Sequence, residues 1–249
     1  MTENIVIVGA TSGIAKALCA ELAGGGANLV LAGRNTGELE RQAADLRVRF
    51  QRDVFVERFD AAEVEHFAQF WANCVAHFAD GATGLVVCYG FLPVQNEAQR
   101  DTAVLRQSFD VNCTSPSVMM EIAAAYFEQR HSGWIAAISS VAGDRGRQSN
   151  YLYGAAKAGL SAYLQGLRNR LQPAGVHVLS IKPGFVATRM TAGKVNPKSP
   201  LVASPERVAR DIARAIRRRK NVLYTPWIWR PIMFVVRSIP EAIFKRLKL

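Results

Sequence analysis

A chain of 249 residues, 49% of them hydrophobic, is long enough to bury a sizeable core in one α/β domain. Its net charge of +11 is lopsided: from Leu201 onward twelve Lys/Arg face three acids (Glu206, Asp211, Glu241), which argues for an anionic partner. Four scattered cysteines without a C-x-x-C argue against a disulfide framework or a metal site, and no apolar run approaches the ~20 residues of a membrane span.

Taken in order, residues 1–8 show no basic or long apolar leader, so a cytoplasmic location is expected. Residues 4–8 form a short apolar run that enters Gly9-Ala10-Thr11-Ser12-Gly13-Ile14-Ala15, and Leu18 and Leu22 then continue a helical pattern to the glycines at 24–26. Strand, glycine turn and helix together are the context in which such a motif binds a dinucleotide. Gly9 permits the tight turn, and Gly13 lets backbone approach a pyrophosphate at the helix N-terminus, with Thr11, Ser12 and Ile14 in the same loop. The bland alternative is a glycine turn that only joins two elements. A second strand, 28–32, ends in Gly33-Arg34-Asn35. An NAD site wants an acid about 20 residues past the motif, to hold the ribose hydroxyls. None stands between Val30 and Gly37, and Arg34 suits a 2′-phosphate instead, so NADP(H) is favoured over NAD(H). A solvated loop arginine is the alternative.

A helix is expected over 36–51, a strand over 53–59 ending at Asp60, and a helix over 63–78. Residues 84–88 read as a strand buried on both faces, ending at Tyr89-Gly90, where Gly90 lets a cofactor pass close. A long helical region over 97–130 contains Asn112, either a residue that kinks the helix or a catalytic one.

Residues 135–138 form the next strand, Ser139-Ser140-Val141-Ala142-Gly143 follows it, and a helix over 151–171 carries Tyr153 and Lys157. A spacing of four puts that phenol and ammonium on one helical face, and Ser140 at the strand end can converge with them. A ketone accepting hydride develops negative charge on oxygen and needs a proton donor and a fixed dipole there. Tyrosine can donate, its pKa of about 10 lowered by a neighbouring lysine cation, while the serine holds the carbonyl. A Tyr-x-x-x-Lys pair by itself is a weak signal; the rest of the chain strengthens it. Arg145 and Arg147, between Ser140 and Tyr153, can border the site and offer paired donors to an anionic part of a substrate, or be solvated loop residues.

A strand over 176–181 leads into Lys182-Pro183-Gly184-Phe185-Val186-Ala187-Thr188, a helix follows over 205–220 and a short strand over 221–224. Alternating strands and helices predict an α/β doubly wound parallel sheet over 1–225, with an amphipathic basic extension over 226–249. Gly9, Arg34, Asp60, Gly90, Ser140 and Pro183 all fall at C-terminal strand ends, where such folds bind ligands. In the extension, Trp227, Trp229, Phe234 and Ile243 alternate with Arg230, Arg237, Lys245, Arg246 and Lys248. It either packs on its own domain or a sister subunit, or lies on an anionic bilayer as short amphipathic helices. The second alternative makes the protein peripheral at the inner membrane surface and its vesicle binding salt-sensitive. Nucleic acid is not expected as a partner.

These residues, in this order, resemble the short-chain dehydrogenase/reductase family across nearly the whole chain. The resemblance implies a Rossmann fold, NAD(P)H-dependent interconversion of a ketone and a secondary alcohol, and a homo-oligomer. It also implies that Asn112 anchors a water relay to Lys157, that Lys157 holds the nicotinamide ribose, and that Asp60 faces the adenine. Val186 and Thr188, after Pro183, would flank the nicotinamide amide. One departure is visible: Val87-Cys88-Tyr89-Gly90 stands where the family often has Asn-Asn-Ala-Gly, and Tyr89 can crowd that edge of the site. A narrower similarity, in 139–157, in Arg189-Met190-Thr191 and in 224–244, is to bacterial ketoreductases of decaprenylphosphoryl-ribose 2′-epimerisation. It implies a 2-keto pentose on a polyprenyl phosphate as substrate. The alternatives are a soluble or steroid-like ketone, or a non-catalytic, membrane-associated NADPH-binding protein.

Overall fold

Strands rich in Val, Ile, Leu and Ala, with their polar residues mostly at or next to the strand ends, suit a sheet covered on both faces. The computed structural model describes residues 2–193, 196 and 199–247; Lys248 of the basic extension lies outside the described residues. Its strands are β1 (Asn4–Val8), β2 (Asn28–Gly33), β3 (Val54–Arg58), β4 (Gly84–Val87), β5 (Trp134–Ile138), β6 (His177–Pro183), β7 (Phe185–Val186), β8 (Val202–Ala203) and β9 (Val222–Thr225). Its helices are α1 (Gly13–Gly24), α2 (Thr36–Phe50), α3 (Phe67–Ala76), α4 (Gln95–Ala98), α5 (Thr102–Phe109), α6 (Ser115–Arg130), α7 (Tyr151–Leu171), α8 (Pro205–Arg217), α9 (Trp229–Ser238) and α10 (Glu241–Phe244).

Seven strands make one parallel sheet in the order β3-β2-β1-β4-β5-β6-β9, and β7 and β8 pair separately. The chain builds outward from β1 to β3, then crosses to β4 and builds the other way. The crevice between the C-terminal ends of β1 and β4 is therefore the topological switch point, where ligands bind in such sheets. Alternation of side chains splits the core in two. Ile5, Ile7, Leu29, Leu31 and Val86 meet α1, α2 and α8. Val6, Val8, Val30, Leu85 and Val87 meet α3, α6 and α7 on the opposite face. Burying each such side chain contributes about 1.5–3 kcal/mol, so both layers are held firmly.

Two expected elements differ. The helix over 63–78 starts with a separate 3-10 turn, Val64–His66, before α3. The long region over 97–130 is broken at Asp101, whose carboxylate caps α5 by accepting from the Ala103 and Val104 amides (2.8 and 3.4 Å). A single wide π turn, Asp110–Thr114, then joins α5 to α6. In the extension, α9 buries Trp229 and Met233 against Val141, beside Ile228, Ile232 and Val236. Of the two alternatives for the tail, packing on its own domain is realised by one face of α9. No helix among the described residues is long and apolar enough to cross a membrane.

Candidate active site

Ser140 leaves the end of β5 with extended backbone (φ −167°, ψ 154°), and its Oγ accepts from the Ala142 amide at 3.0 Å, capping a 3-10 turn over Val141–Asp144. That turn is pressed onto α7. A Cβ on Gly143 would stand 2.7 Å from the Lys157 carbonyl carbon, and one on Gly154 would stand 2.9 Å from the Ala142 carbonyl oxygen. The neighbouring Ser139 is buried and donates to the Lys157 carbonyl at 3.0 Å, while its Oγ is 2.7 Å from that of Ser161. Serine turn and Tyr/Lys helix thus form one rigid piece.

Lys157 is 2% exposed, donates from Nζ to the Ile138 carbonyl at 3.0 Å and lies 5.9 Å from the Tyr153 ring centroid. Burial lowers its pKa to about 8, with Cys113 and Cys88 pulling the other way, so it is mostly a cation at pH 7. Tyr153 departs from expectation. Burial pushes its phenol up to about 12, and hydrogen bonding with Ser140 only partly offsets this. The ammonium is directed at the Ile138 carbonyl, and desolvation of the phenolate sets the direction of the shift. Tyr153 therefore holds its proton at neutral pH, the state from which it can donate.

Asn112 is fully buried in the π turn. Its Nδ2 donates to the carbonyls of Phe91 (2.6 Å) and Ser108 (2.9 Å), and its Oδ1 accepts from the Phe91 amide (3.0 Å). These bonds clamp the segment after β4 to the distorted helix. The residue also stands at the site, since a Cβ on Gly90 would lie 3.0 Å from Asn112 Oδ1 and 3.6 Å from Lys157 Nζ. Tyr89 turns its ring away from the crevice, into the second core. Its hydroxyl lies 3.0 Å from Ser115 Oγ and its ring centroid 5.4 Å from that of Phe59. The expected crowding by the phenol ring is not seen.

At the switch point Gly9 adopts φ +83°, which a side chain would strain, and a Cβ there would sit 2.7 Å from the Tyr89 amide nitrogen. Ser12 caps α1 by accepting from the Ala15 amide (3.2 Å). Thr11 and Ser12 border the helix start, whereas Ile14 packs on the first core. A Cβ on Gly13 would lie 3.2 Å from Thr188 Cγ2, so the segment after Pro183 reaches the glycine loop. Val186 is buried, and Thr191 Oγ1 donates to its carbonyl. Bare glycine backbone at the N-terminus of a twelve-residue helix fits a pyrophosphate. Arg34 is exposed just after β2, and Asp60 closes the turn after β3, accepting from the Ala62 amide at 3.1 Å. Sequence reasoning missed Glu38, one residue beyond its window. That carboxylate is held by Lys16 (2.5 Å) and Arg189 (3.7 Å), and the Lys16 hydrogen bond keeps it below the usual range.

Arg145 requires a correction. Its Nη1 donates to the carbonyls of Val236, Arg237 and Ile239 (3.0, 3.0 and 2.6 Å), its Nη2 meets Glu241 at 2.8 Å, and its plane covers Phe244 at 3.8 Å. The last carbonyls of α9 need donors, and a guanidinium fork supplies several at once. Arg145 is thus spent on the tail, not offered to a substrate anion. Arg147 is half-buried, its Nε has no hydrogen-bond partner among the described residues, and burial lowers its pKa. We expect Arg145→Ala to cost about 2 kcal/mol or more and to speed tryptic cleavage within α9 and α10. An unchanged urea midpoint and digestion pattern would contradict the clamp.

Nothing in the spacing pointed to Asp144. Its side chain is 2% exposed and accepts from Lys182 Nζ (2.5 Å) and the Tyr224 hydroxyl (2.8 Å), tying the serine turn to β6 and β9. Trp229 was likewise unforeseen as the packing partner of the segment after Pro183. It lies against the bare backbone of Gly184 and meets Phe185 edge-on at 5.2 Å.

A family model described as short chain dehydrogenase matches residues 3–199. An uncharacterised oxidoreductase of Mycobacterium tuberculosis is 36% identical over 243 residues, covering 98% of this chain and 96% of its own. Among solved structures, a short-chain dehydrogenase from Sphingobium yanoikuyae in complex with NADPH superposes with a TM-score of 0.81 at 23% identity, covering 96% of this chain and 97% of its own. One from Burkholderia cenocepacia in complex with NADP does so with 0.83 at 21%, covering 100% and 98%. At those identities the two structures speak for the fold.

Proposed function

The chain belongs to the short-chain dehydrogenase family, and from that premise we propose that it is an NADPH-dependent oxidoreductase interconverting a ketone and a secondary alcohol. The observation that carries this reading is the rigid Ser140–Tyr153–Lys157 piece at the end of β5, beside the glycine loop of β1. Ser140 Oγ orients the carbonyl oxygen, and the Tyr153 phenol passes its proton to that oxygen as negative charge grows there. Lys157, still charged, lowers the cost of the phenolate left behind. When bound, NADPH supplies the hydride. The amides of the first turn of α1 would hold its pyrophosphate, with Asp60 at the adenine side, Lys157 and Gly90 near the ribose, and Val186 and Thr188 beside the nicotinamide. Asn112 sits where it can anchor water next to Lys157. The test is NADPH oxidation against a ketone panel, and no turnover of any ketone or alcohol counts against the reading.

Preference for NADPH is supported by the exposed Arg34 and by Glu38, whose charge Lys16 and Arg189 already offset. The NADPH and NADP complexes of the two structural neighbours agree with it. We expect Arg34→Asp to lower kcat/KM for NADPH about 10- to 100-fold, the worth of a charged hydrogen bond, with little effect on NADH. Equal kcat/KM for both cofactors in the unaltered protein would overturn the assignment. The substrate we propose is a 2-keto pentose on a polyprenyl phosphate, supported by the narrower sequence similarity in 139–157, 189–191 and 224–244. A soluble or steroid-like ketone is the second reading. Adding an oxidase that makes the lipid-linked keto sugar to the same assay separates the two. A homo-oligomer fits the family.

A further inference from the structure

The two helices flanking the last strand are both basic on the sides that the cores leave free. Between them and β9 runs an open groove of about 1400 Å³. Arg207, Arg210 and Arg214 of α8 line one side, and Arg230 and Arg237 of α9 line the other. Asp211 is the one acid in the lining among the described residues, and it is engaged by the Thr225 hydroxyl (2.9 Å) and Arg214 (3.4 Å). Arg207, Arg210, Arg230 and Arg237 have no acidic partner among the described residues. Like charges brought this close repel unless something anionic lies among them.

Trp227, 69% exposed, and Phe234, 72% exposed, bring apolar surface to the groove. Val235 and Ile243 stand exposed on the same tail. Arg230, Phe234 and Arg237 follow one another at spacings of four and three, so cation and ring share the outer face of α9. The inner face is the one already packed on Val141. We propose that this outer surface, α8 and α9 together, docks on an anionic phospholipid bilayer. Phosphate headgroups enter the arginine-lined groove, and Trp227, Phe234 and Val235 enter the interface.

Charge and apolar content select this occupant over others. A second copy related by a two-fold axis would set the same arginines against one another. A nucleic acid can stack on Trp227 and Phe234 but offers nothing to Val235 or Ile243. Docking in this orientation leaves α9 alone between the headgroups and the turn that carries Ser140. That is about one helix diameter, some 10 Å. The proposal is independent of which ketone is reduced.

Sedimentation of the full chain with mixed phosphatidylcholine–phosphatidylglycerol vesicles, and with phosphatidylcholine alone, tests it. Removing the tail would uncover Val141 and strip Arg145 of its partners, so point variants are the cleaner probe. We expect pelleting with the mixed vesicles at low salt, release at high salt, and no pelleting with phosphatidylcholine alone. Each groove cation is worth about fivefold in partitioning, so Arg207→Gln/Arg210→Gln/Arg230→Gln should bind roughly a hundredfold more weakly. Phe234→Ser should also weaken it. Both variants should keep the parent's melting temperature and its NADPH oxidation with a short soluble ketone, which separates a failure of docking from a failure of the redox reading. Protein left in the supernatant at low salt, or a triple variant that pellets like the parent, overturns the proposal. So does displacement from the vesicles by a stoichiometric DNA duplex, which would give the groove to nucleic acid, or a concentration-dependent dimer that the triple variant abolishes, which would give it to a second copy.

Discussion

Tyr153→Phe is expected to lower kcat by about 10²- to 10⁴-fold while leaving NADPH binding within about twofold of the parent. The ring stays, so its contacts within α7 and beside Lys157 stay; only the hydroxyl and its proton are lost. Burial holds that proton on the phenol far above neutral pH, so no other state of Tyr153 competes with donation. A fluorescence titration with NADPH reads binding, and single-turnover oxidation reads chemistry. Retention of more than a few per cent of activity would remove Tyr153 from the reaction, and Ser140 and Lys157 would need another partner.

The second large effect comes from Lys157, and activity and stability should respond to pH in opposite directions. The folded protein holds this ammonium with a pKa of about 8, against 10.5 as the ordinary value. Below pH 8 both folded and unfolded chains carry the proton, and the folded state bears the full cost of a buried charge. Between pH 8 and 10.5 the unfolded chain binds a proton that the folded one does not, so stability from this group rises with pH, by about 3 kcal/mol in all. Lys157→Met removes the titration, and the difference in urea midpoint between parent and variant should therefore shift in the parent's favour from pH 7 to 10.5. Over the same range kcat/KM should fall as pH passes about 8, because neutral Lys157 no longer offsets a phenolate. A midpoint difference that does not change with pH would show that Lys157 is not buried as a cation.

Much of this was legible because a parallel sheet writes its ligand-binding edge into the chain at regular intervals. Gly9, Gly90, Ser140 and Pro183 are each the residue at or just past a strand end, and strands of four to seven residues leave little freedom about where that end lies. Lys157 and Tyr153 were legible for a related reason, the fixed pitch of one helix. What escaped has no periodic signature. Asp144, Lys182 and Tyr224 come from three elements, and nothing in their spacing says that two donors meet one carboxylate. Arg145 looked like a loop cation near the site because the loop is near the site, yet the carbonyls that claim it belong to residues more than ninety positions away. The direction of the Tyr153 shift was misjudged for want of a depth: proximity to Lys157 follows from spacing, desolvation only from the packed structure. The tail's amphipathic pattern named both of its faces but not which would meet Val141.

The order in which the sheet is laid down has a consequence for biosynthesis. β6 pairs with β5 on one side and with β9 on the other, and β9 is the last strand of the chain to be made. A nascent chain that has just completed β6 presents an open, apolar edge, and one face of it stays bare until α8 brings Val208, Ile212 and Ile216. Because both pairings are parallel, no hairpin can close that edge locally. The interval between translation of residue 183 and residue 222 is therefore a window in which this polypeptide is exposed to edge-to-edge aggregation and open to a holding chaperone. Ribosome-bound chains whose emerged part ends within that interval should be found chaperone-bound or insoluble, whereas chains in which β9, α9 and α10 have all emerged should fold free of a holding chaperone.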